Sequence, residues 1–371
     1  MNKIPLVDLK ANYLHIKEEI DSTIKDVIDN SAFIMGEPVK RFEREFAEAT
    51  ESRFCAGTSN GTSSLVVALQ AIGLKPGDEA ITVPNTFIAT TEAVTFLGGK
   101  LKFVDVEEKT LLMNPDLIKD QITKKTKVII PVHIFGQMAD MERIKEIGDK
   151  YNIKIIEDAA QAHFATFKGK QPGYYGDIAC YSFFPAKNLG CFGDGGSVTT
   201  NDEEYAKKMA MLCDHGRISK YEHLIEGFNF RLDALQAAIL SVKLKHLGKW
   251  TELRRKNAGI YNKLLPDAVQ KPFEAENRKH VYYAYQIMVG NRNRLNDHLA
   301  RNGISCGIYY PIPLHLQKAY EYMNLKKGSF PVTENSCERL LALPMYPELK
   351  EEQIKYICNK IKEGVKNFIQ K

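Results

Sequence analysis

The chain contains 371 residues, of which 44% are hydrophobic and 26% are charged. That is more chain than a single hydrophobic core usually holds, so we predict two packed domains, a large one over residues 1–250 and a smaller one over residues 251–371. The 51 basic and 46 acidic residues leave a net charge of +5 without a basic block, which argues against a nucleic-acid partner.

Signals for targeting and for metal binding are missing from the sequence. No apolar run at the start resembles a signal peptide and none elsewhere is long enough to cross a bilayer, so we expect a cytoplasmic protein without membrane contact. The seven cysteines form no C-x-x-C pair, which favours reduced buried thiols over disulfides or a zinc site. The nine histidines show no ligand spacing, and we predict no metal.

Short runs rich in β-forming apolar residues alternate with helical segments in the first half of the chain. The helical segments include residues 63–72 and 141–151, which carry apolar residues at helical spacing. This alternation predicts an α/β fold with a largely parallel sheet flanked by helices. The predicted strands are EAITVP (79–84), KLKFVDV (100–106), KVIIPV (127–132), IKIIEDA (153–159), DIACYSFF (177–184) and GSVTT (196–200).

The pattern changes after Asp233. A long helix is predicted from Asp233 to about Leu265, as a connector between the two domains. Beyond it, strand-like segments at 281–289 and 304–311 precede a C-terminal amphipathic helix that begins at Glu351. These later elements predict a smaller α+β domain.

An acidic residue, Asp158, lies at the end of the predicted strand 153–159. In open α/β sheets, polar groups at the carboxyl ends of the strands converge on one crevice. A carboxylate beside an apolar strand costs free energy unless it is paired, hydrogen-bonded or turned toward a ligand. Capping of the helix that follows explains an aspartate at this position equally well.

Lys187 follows the next strand, in a turn that contains Pro185 and Gly190. Most lysines are solvated surface charges, and that is the default interpretation. The sharp turn can instead direct this side chain back over the edge of the sheet. A lysine amine that loses its water in such a crevice has a lowered pKa and can form a Schiff base with a carbonyl. The pair Asp158 and Lys187 therefore indicates a candidate active site.

A small polar turn, Ser59 to Ser64, begins a helix after the strand-like RFCAG (53–57). Unpaired N–H groups at a helix start, with hydroxyl groups beside them, can bind a phosphate, although a plain capped helix has the same sequence pattern. Phe87, after another strand, is either core packing or a ring that stacks on a flat ligand. A phosphate site, a carboxylate, a reactive lysine and a stacking ring are the parts that pyridoxal 5'-phosphate (PLP) needs.

Several independent motifs occur in a fixed order along nearly the whole chain: PLVDLKANY, FIMGEPVKRFEREFA, NGTSSL, VPNTFIAT, PVHIFGQMADM, EDAAQAH, SFFPAKNLGCFGDGG, GFNFRLDALQAA and YYPIPLHLQKAY. With these motifs in this order, the sequence resembles the PLP-dependent sugar aminotransferases of the DegT/DnrJ/EryC1/StrS type. The resemblance implies the PLP-dependent transferase fold of type I, which is the aspartate aminotransferase fold. That fold has a large domain with a mixed, mostly parallel sheet and a smaller C-terminal domain.

The resemblance also implies a role for each residue that matches the motifs. Lys187 forms the Schiff base with the cofactor aldehyde, and Asp158 pairs with the pyridine nitrogen. The residues implied to complete the cofactor site are Gly61, Thr62, Ser63 and Ser182 around the phosphate, Phe87 on the ring, Gln161 at the 3'-oxygen, and Asn229, which reaches a phosphate in the neighbouring subunit of a homodimer.

The same resemblance implies a substrate class. Lys187 is followed by Asn188-Leu-Gly and later by Gly193-Asp-Gly-Gly, not by a K-x-x-T-x-x-E-G-G pattern, which is more similar to relatives that aminate C3 of a keto-sugar than to those acting at C4. We therefore expect amino transfer from L-glutamate to a UDP- or dTDP-linked 3-keto-sugar, in amino-sugar biosynthesis. The candidate substrate contacts are His163, Arg217, Tyr309, Tyr310 and His315, for which ordinary packing is the alternative.

Three other functions remain open from the sequence. Some proteins on this fold carry histidine in place of the Schiff-base lysine and are PLP-dependent deoxysugar dehydratases, so Lys187 argues for amino transfer. The glycine-rich run 190–196 suggests an NAD-binding dehydrogenase, but it lacks G-x-G-x-x-G between a first strand and its helix. A non-catalytic member that binds a nucleotide sugar or a regulatory partner is the third alternative.

Overall fold

The computed structural model describes residues 3–369. These residues form eleven strands and eleven α-helices. The strands are β1 (Phe54–Thr58), β2 (Glu79–Thr82), β3 (Lys100–Phe103), β4 (Thr126–Ile129), β5 (Lys154–Asp158), β6 (Thr166–Phe167), β7 (Ile178–Ser182), β8 (Gly196–Thr200), β9 (Arg278–Lys279), β10 (Tyr285–Met288) and β11 (Leu340–Leu343).

The helices separate these strands along the chain. Within residues 3–369, every helix is too short or too polar to span a bilayer. The α-helices are α1 (Leu9–His15), α2 (Lys17–Asp29), α3 (Gly36–Ala49), α4 (Gly61–Ala71), α5 (Ala89–Phe96), α6 (Met141–Tyr151), α7 (Glu203–Cys213), α8 (Ala234–Leu264), α9 (Arg292–Arg301), α10 (Pro331–Arg339) and α11 (Glu351–Ile369). Short 3₁₀ helices occur at Pro115–Leu117, Lys119–Gln121, Ile134–Gly136, Leu314–Leu316 and Lys318–Met323.

Seven strands form one mixed sheet in the order β1-β8-β7-β5-β4-β2-β3. The strands from β7 to β3 along this order are all parallel, whereas β8 runs antiparallel to both β7 and β1. The predicted α/β fold with a mostly parallel sheet is therefore confirmed. All six strands predicted at residues 79–200 are present; the one at 196–200 has the predicted bounds, and the other five end earlier than predicted.

Helices cover both faces of this sheet, because its central strands are apolar on both sides. Neighbouring residues of β5 show the alternation, since Ile155 packs into one core cluster and Ile156 into the other. Helices α3, α6 and α8 pack on the face of Ile155, and α4, α5 and α7 pack on the face of Ile156. The sheet is thus the middle layer of three.

Three strand ends meet at one edge of the sheet. Thr58 at the end of β1 is in register with Gly196, and Gly196 is in register with Ser182 at the end of β7. Asp158 ends β5, the parallel neighbour of β7. The segments that follow β1, β5 and β7 therefore leave the sheet side by side, as the sequence pattern predicts.

A separate core forms in the C-terminal part of the chain. It contains buried residues from Ala258 to Val365, together with Ile4 from the N-terminal segment. Helix α8 contributes to this core and also to the core under the large sheet, through Leu240 and Leu247. The predicted domain boundary at residue 250 falls inside this continuous helix, and the two-domain division stays a prediction.

Two strand predictions in this region differ from the structure. The segment 281–289 forms a strand only at Tyr285–Met288, because Tyr282 has a positive φ of 47° that interrupts the extended backbone. The strand predicted at 304–311 was wrong. Ile304 bridges Ile4 and Gly307 bridges Ala342, so the segment changes partner within three residues and makes no continuous ladder.

Candidate active site

A cleft of about 1040 Å³ opens at the edge of the sheet where these strand ends meet. Its wall is built by the start of α4, by the segments that follow β2, β5 and β7, and by residues 309–310. Of the residues singled out from the sequence, those on this wall are Gly61, Thr62, Ser63, Phe87, Asp158, Gln161, Ser182, Lys187, Tyr309 and Tyr310. Residues that lie up to 249 positions apart in the chain are thus brought into one cavity.

Lys187 is half-buried in the turn after β7. The backbone N–H of Lys187 donates to the Phe184 carbonyl at 2.8 Å. Gly190 allows the chain to turn back tightly, since a Cβ there would lie 2.3 Å from the Pro185 carbonyl oxygen. The amine lies 4.5 Å from the ring centre of Tyr283. Loss of water lowers the Lys187 pKa to about 8, an effect that the Asp158 charge opposes. A neutral, nucleophilic amine is therefore available near neutral pH.

Asp158 is buried at the end of β5, with 5% of its surface exposed. Its Oδ2 accepts a 2.7 Å hydrogen bond from Thr90 Oγ1, and its Oδ1 accepts a 3.2 Å bond from the Ala160 N–H. Thr90 Oγ1 lies 2.8 Å from Thr86 Oγ1. The carboxylate is thus fixed in orientation while it lines the cleft. Such a group can hold a cationic or N–H-bearing ligand atom.

The start of α4 supplies a site for an anion. Asn60 caps the helix, because its side chain accepts from the Ser63 N–H at 2.8 Å and its carbonyl accepts from the Ser64 N–H at 3.0 Å. The first N–H groups, on Gly61 and Thr62, have no partner within the helix, and both residues line the cleft. A Cβ on Gly61 would lie 2.7 Å from Ser182 Cβ, so only glycine permits this close approach of α4 to β7.

Two further predicted residues, Gln161 and Phe87, line the cleft. Gln161 Oε1 accepts a 2.6 Å hydrogen bond from the Phe135 N–H, and its Nε2 donates to Tyr310 Oη at 3.4 Å. The Phe87 ring is 54% exposed, and its centre lies 5.9 Å from that of Tyr310. An exposed aromatic ring on a cavity wall is free to stack on a planar ligand.

Three predicted substrate contacts do not lie on the cleft wall. His163 is 1% exposed, with its ring packed near Tyr181 and Phe183, and burial lowers its pKa to about 3. His315 Nε2 lies 3.0 Å from Glu334 Oε1 in the interior. Arg217 donates two hydrogen bonds to Asp214 at 2.5 Å. Their contact with substrate stays a prediction that requires each side chain to leave these surroundings.

Asn229 is exposed on the loop between α7 and α8 and is also absent from the cleft wall of its own chain. Its backbone forms a bridge with Asp214, whose carboxylate pairs with Arg217 and Arg231. These arginines lower the pKa of Asp214. The placement is compatible with a contact to another subunit, which stays a prediction.

Several residues of the site were not predicted from the sequence. Thr90 lies in α5 and orients Asp158, and Tyr283 lies beneath the Lys187 amine. Glu92 and Asp194 add carboxylates to the cleft wall. Three threonines and a glutamate occur in the helix sequence ATTEAVTF, and nothing in it separated Thr90 from the others. Nothing local in VYYAYQIMV separated Tyr283 from its neighbours.

Comparison with known proteins identifies the group to which this arrangement belongs. The family model described as the DegT/DnrJ/EryC1/StrS aminotransferase family matches residues 14–362. The chain is 44% identical to a protein of Geobacillus stearothermophilus named pleiotropic regulatory protein, over 98% of this chain and 99% of the relative. It is 41% identical to the UDP-N-acetyl-3-dehydro-alpha-D-glucosamine 3-aminotransferase of Acidithiobacillus ferrooxidans, over 97% of each. The chain belongs to the DegT/DnrJ/EryC1/StrS aminotransferase family.

Solved structures agree with this assignment. S. venezuelae DesV, determined in complex with a ketimine intermediate, superposes with a TM-score of 0.96 at 36% identity and 98% coverage of each chain. The Bacillus subtilis protein NtdA, with bound cofactor PMP, superposes with a TM-score of 0.90 at 33% identity, over 99% of this chain and 86% of NtdA. The predicted fold and family are confirmed.

The residues on the cleft wall fit the PLP cofactor of such enzymes. The cleft holds an amine whose pKa is lowered to about 8, a carboxylate oriented by two donors, and helix N–H groups beside a serine. These groups match an aldehyde, a ring nitrogen that carries a proton, and a phosphate. Lys187, Asp158 and the residues at the start of α4 are the ones that would hold it.

Proposed function

We propose that this protein transfers an amino group from an amino acid, L-glutamate, to the keto group of a nucleotide-linked sugar, with C3 as the preferred carbon. The observation that carries the proposal is the joint position of Lys187 and Asp158 in a cleft that begins at the N-terminus of α4. A lysine that is partly neutral near pH 7 and an oriented carboxylate are the two groups that PLP-dependent amino transfer requires.

Each side chain has a defined task in this reaction. PLP supplies an electron sink when it is bound. Lys187 provides an amine of which about a tenth is neutral at pH 7, given its pKa of about 8, so it can take up a proton from a bound amino donor and return it. Asp158, held by Thr90 and Ala160, stabilises a protonated ring nitrogen.

The size and chemistry of the cleft support a large, partly planar substrate. Its volume of about 1040 Å³ exceeds what the cofactor alone needs, since drug-sized ligands occupy pockets of about 300–1,000 Å³. Tyr309, Tyr310 and Phe87 provide aromatic surface for a base or a sugar. The relative from Acidithiobacillus is named for a UDP-linked 3-keto-sugar, which supports both the substrate class and the preference for C3.

The first experiment tests the attachment to Lys187. The purified protein is reconstituted with PLP, reduced with borohydride and digested, and the modified peptide is identified by mass spectrometry. We expect the pyridoxyl group on Lys187 in the wild type and none in Lys187→Ala. Lys243, which is also buried with a pKa lowered to about 8, is the matched control amine, because it does not line the cleft. Modification of Lys243 in preference to Lys187 contradicts the proposal.

The second experiment tests the substrate. The holoenzyme is incubated with L-glutamate and, separately, with 3-keto and 4-keto forms of the same nucleotide sugar, and the amino-sugar product is measured. Product from the 3-keto compound alone is expected. Product from the 4-keto compound alone contradicts the preference for C3, and product from neither, in a protein that carries PLP on Lys187, contradicts the sugar substrate.

A second candidate function is regulation without catalysis, because the relative at 44% identity is named a regulatory protein. The two candidates differ in one measurement. A catalyst converts many equivalents of glutamate to 2-oxoglutarate in the presence of the keto-sugar. A binding protein shows at most one equivalent, whatever ligands are supplied.

We further propose a homodimer in which Asn229 completes the partner's site. Its exposed position away from the cleft of its own chain supports this. Lys187→Ala and Asn229→Ala, each of which we expect to be inactive alone, are mixed under conditions that exchange subunits. If Asn229 acts across the interface, each mixed dimer regains one complete site and activity returns. If mixed dimers form and no activity returns, the shared site is excluded.

A further inference from the structure

A second, smaller cavity of about 20 Å³ lies on the far side of the Lys187 turn. It is bounded by the N-terminal segment, the turn after β7, helix α8 and residues 346–348, and we call it the rear cavity. Its lining includes Lys187, Asn188, Lys243, Trp250, Arg254 and Glu348. Within the described residues, Lys187 is the one residue that lines both this cavity and the cleft. The lysine turn therefore separates the two.

Four polar atoms of these lining residues are buried and have no hydrogen-bond partner among residues 3–369. They are Asn188 Oδ1, Trp250 Nε1, Arg254 Nε and Glu348 Oε2. An unpaired buried polar atom costs about 1–3 kcal/mol, and more when the group is charged. Native proteins rarely leave several such atoms together without a shared ligand.

Hydrogen bonds made by neighbouring atoms of the same side chains help to fix the chemical identity of the four. Asn188 Nδ2 donates to the Val281 carbonyl at 3.1 Å, so its other amide atom is the acceptor oxygen. Glu348 Oε1 accepts from Asn12 Nδ2 at 3.1 Å. Arg254 Nη1 donates to the Met345 carbonyl at 2.8 Å. The four unpaired atoms are thus two acceptors and two N–H donors.

Two acceptors and two donors match the hydrogen-bonding capacity of one water molecule. A metal cation would meet the two N–H groups, and an anion would meet the carboxylate and the amide oxygen, so neither suits the set. The volume agrees, because a water needs a cavity of about 10–15 Å³ on this scale. A larger organic ligand has no room.

We propose that the rear cavity binds one ordered water molecule that joins these four groups. It donates to Asn188 Oδ1 and Glu348 Oε2 and accepts from Trp250 Nε1 and Arg254 Nε. The water links the residue that follows Lys187 to helix α8 and to the C-terminal core. Lys243 makes a second link of the same kind, since its amine donates to the Gly190 carbonyl in the same turn.

The proposed water depends neither on the substrate nor on catalysis. A crystal structure of the full-length protein at a resolution that places waters tests it directly. We expect a density peak within hydrogen-bond distance of at least three of the four atoms. A cavity without density, or one in which the four side chains bond to one another, overturns the proposal.

Trp250 offers a test in solution, because it is the single tryptophan of the chain. Its emission maximum is compared in wild type, Glu348→Leu and Glu348→Gln after bound small molecules have been removed. Leucine removes the water's acceptor, and we expect the loss of the water from the indole N–H to shift the emission to shorter wavelength. Glutamine can present its amide oxygen to the water while Asn12 rotates its own amide, so wild-type emission is expected.

Both variants remove the negative charge of Glu348, but only leucine also removes the acceptor oxygen. Comparison of the two therefore distinguishes a water site from a purely electrostatic role of Glu348. Equal shifts in both variants, or no shift in either, contradict the proposal. Glu352→Leu is the matched control, since Glu352 is exposed on α11, and its emission should equal that of the wild type. If Glu348→Leu fails to fold, the crystal structure of the wild type still decides the question.

Discussion

Thr90 and Asp158 lie 68 residues apart in the chain and are joined by a buried 2.7 Å hydrogen bond from Thr90 Oγ1 to Asp158 Oδ2. Thr90 belongs to α5, which packs on one face of the sheet, and Asp158 ends a strand within it. The bond therefore fixes a side chain of the cleft from a neighbouring layer. The hydroxyl group of Thr86 is in turn hydrogen-bonded to that of Thr90.

Replacement of Thr90 by valine should expose the importance of this bond, because valine keeps the shape and removes the donor. The unpaired buried carboxylate oxygen should cost about 1–3 kcal/mol of unfolding free energy. We expect kcat to fall roughly tenfold as the carboxylate loses its orientation. Thr86→Val, one hydrogen bond further away, should have a smaller effect on both quantities. Equal effects of the two substitutions would show that only packing matters.

Asp158→Asn tests the charge itself. The amide oxygen can still accept from the Ala160 N–H, and the amide NH2 can donate to Thr90 Oγ1, whose hydroxyl can rotate to accept. The melting temperature should therefore change little, whereas a protonated ring nitrogen loses its counter-charge. We expect kcat to fall about 100-fold or more. Steady-state kinetics with matched PLP occupancy measures this loss. An active Asp158→Asn enzyme contradicts the role given to the carboxylate.

Lys187 should make the stability of the PLP-free protein depend on pH. Its folded pKa of about 8 is below the ordinary value of 10.5, so below pH 8 the folded state holds a charge in an unfavourable environment. That cost disappears as the pH rises from 8 through 10.5, because the unfolded state then binds more protons.

Lys187→Met removes this cost. At pH 7 the PLP-free variant should be more stable than PLP-free wild type by roughly 1–3 kcal/mol, and the difference should approach zero above about pH 10.5. Urea unfolding at several pH values measures it. Lys154→Met is an informative contrast, because the Asp177 partner raises the Lys154 pKa and that substitution should destabilise the protein at pH 7. A difference for Lys187→Met that does not vary with pH contradicts the lowered pKa.

Gly61→Ala should weaken PLP binding. The new Cβ would lie 2.7 Å from Ser182 Cβ, so the start of α4 must move away from the end of β7 and the N–H groups there lose their positions. We expect the Kd for PLP to rise about tenfold or more, since one lost charge-assisted hydrogen bond is worth about 1.5–3 kcal/mol. Absorbance titration of the PLP-free protein measures this.

Gly248→Ala is the matched control for that substitution. Gly248 lies within α8, and a Cβ there meets nothing within 4 Å. Alanine in a helix should raise the unfolding free energy by about 0.5–1 kcal/mol without any change in PLP affinity. Comparable losses of PLP affinity in both variants would indicate a general effect of replacing glycine by alanine, and not a local effect at Gly61.

The sequence predicted the central sheet and the catalytic pair because both depend on local patterns. Short β-rich runs mark the buried strands, Asp158 ends one of them, and Lys187 lies in the turn after the next strand of the sheet. The partners of these residues come from distant segments. Thr90 lies on a helix and Tyr283 lies 96 positions after Lys187, and neither spacing nor composition links them to the site.

Two histidines that were predicted to contact the substrate lie away from the cleft. His163 and His315 lie in motifs that also contain cleft residues, yet both side chains turn into the interior. A motif indicates that its backbone passes the site, but packing decides which side chains face the cavity. The segment 304–311 failed for a related reason, since β-rich composition cannot specify which neighbour will pair with it.

Helix α8 bears on how a bulky molecule enters the cleft. Ala237 and Leu240 of this helix pack under the large sheet, and Ala258 and Tyr261 pack in the C-terminal core. One continuous helix is thus packed into both cores. Hinged closure of two bodies needs a few positions that absorb large dihedral changes, and a continuous helix offers none. We therefore expect a bulky molecule to enter through local movements at the mouth of the cleft, such as rotation of the exposed Phe87 ring, and not through a hinge within α8.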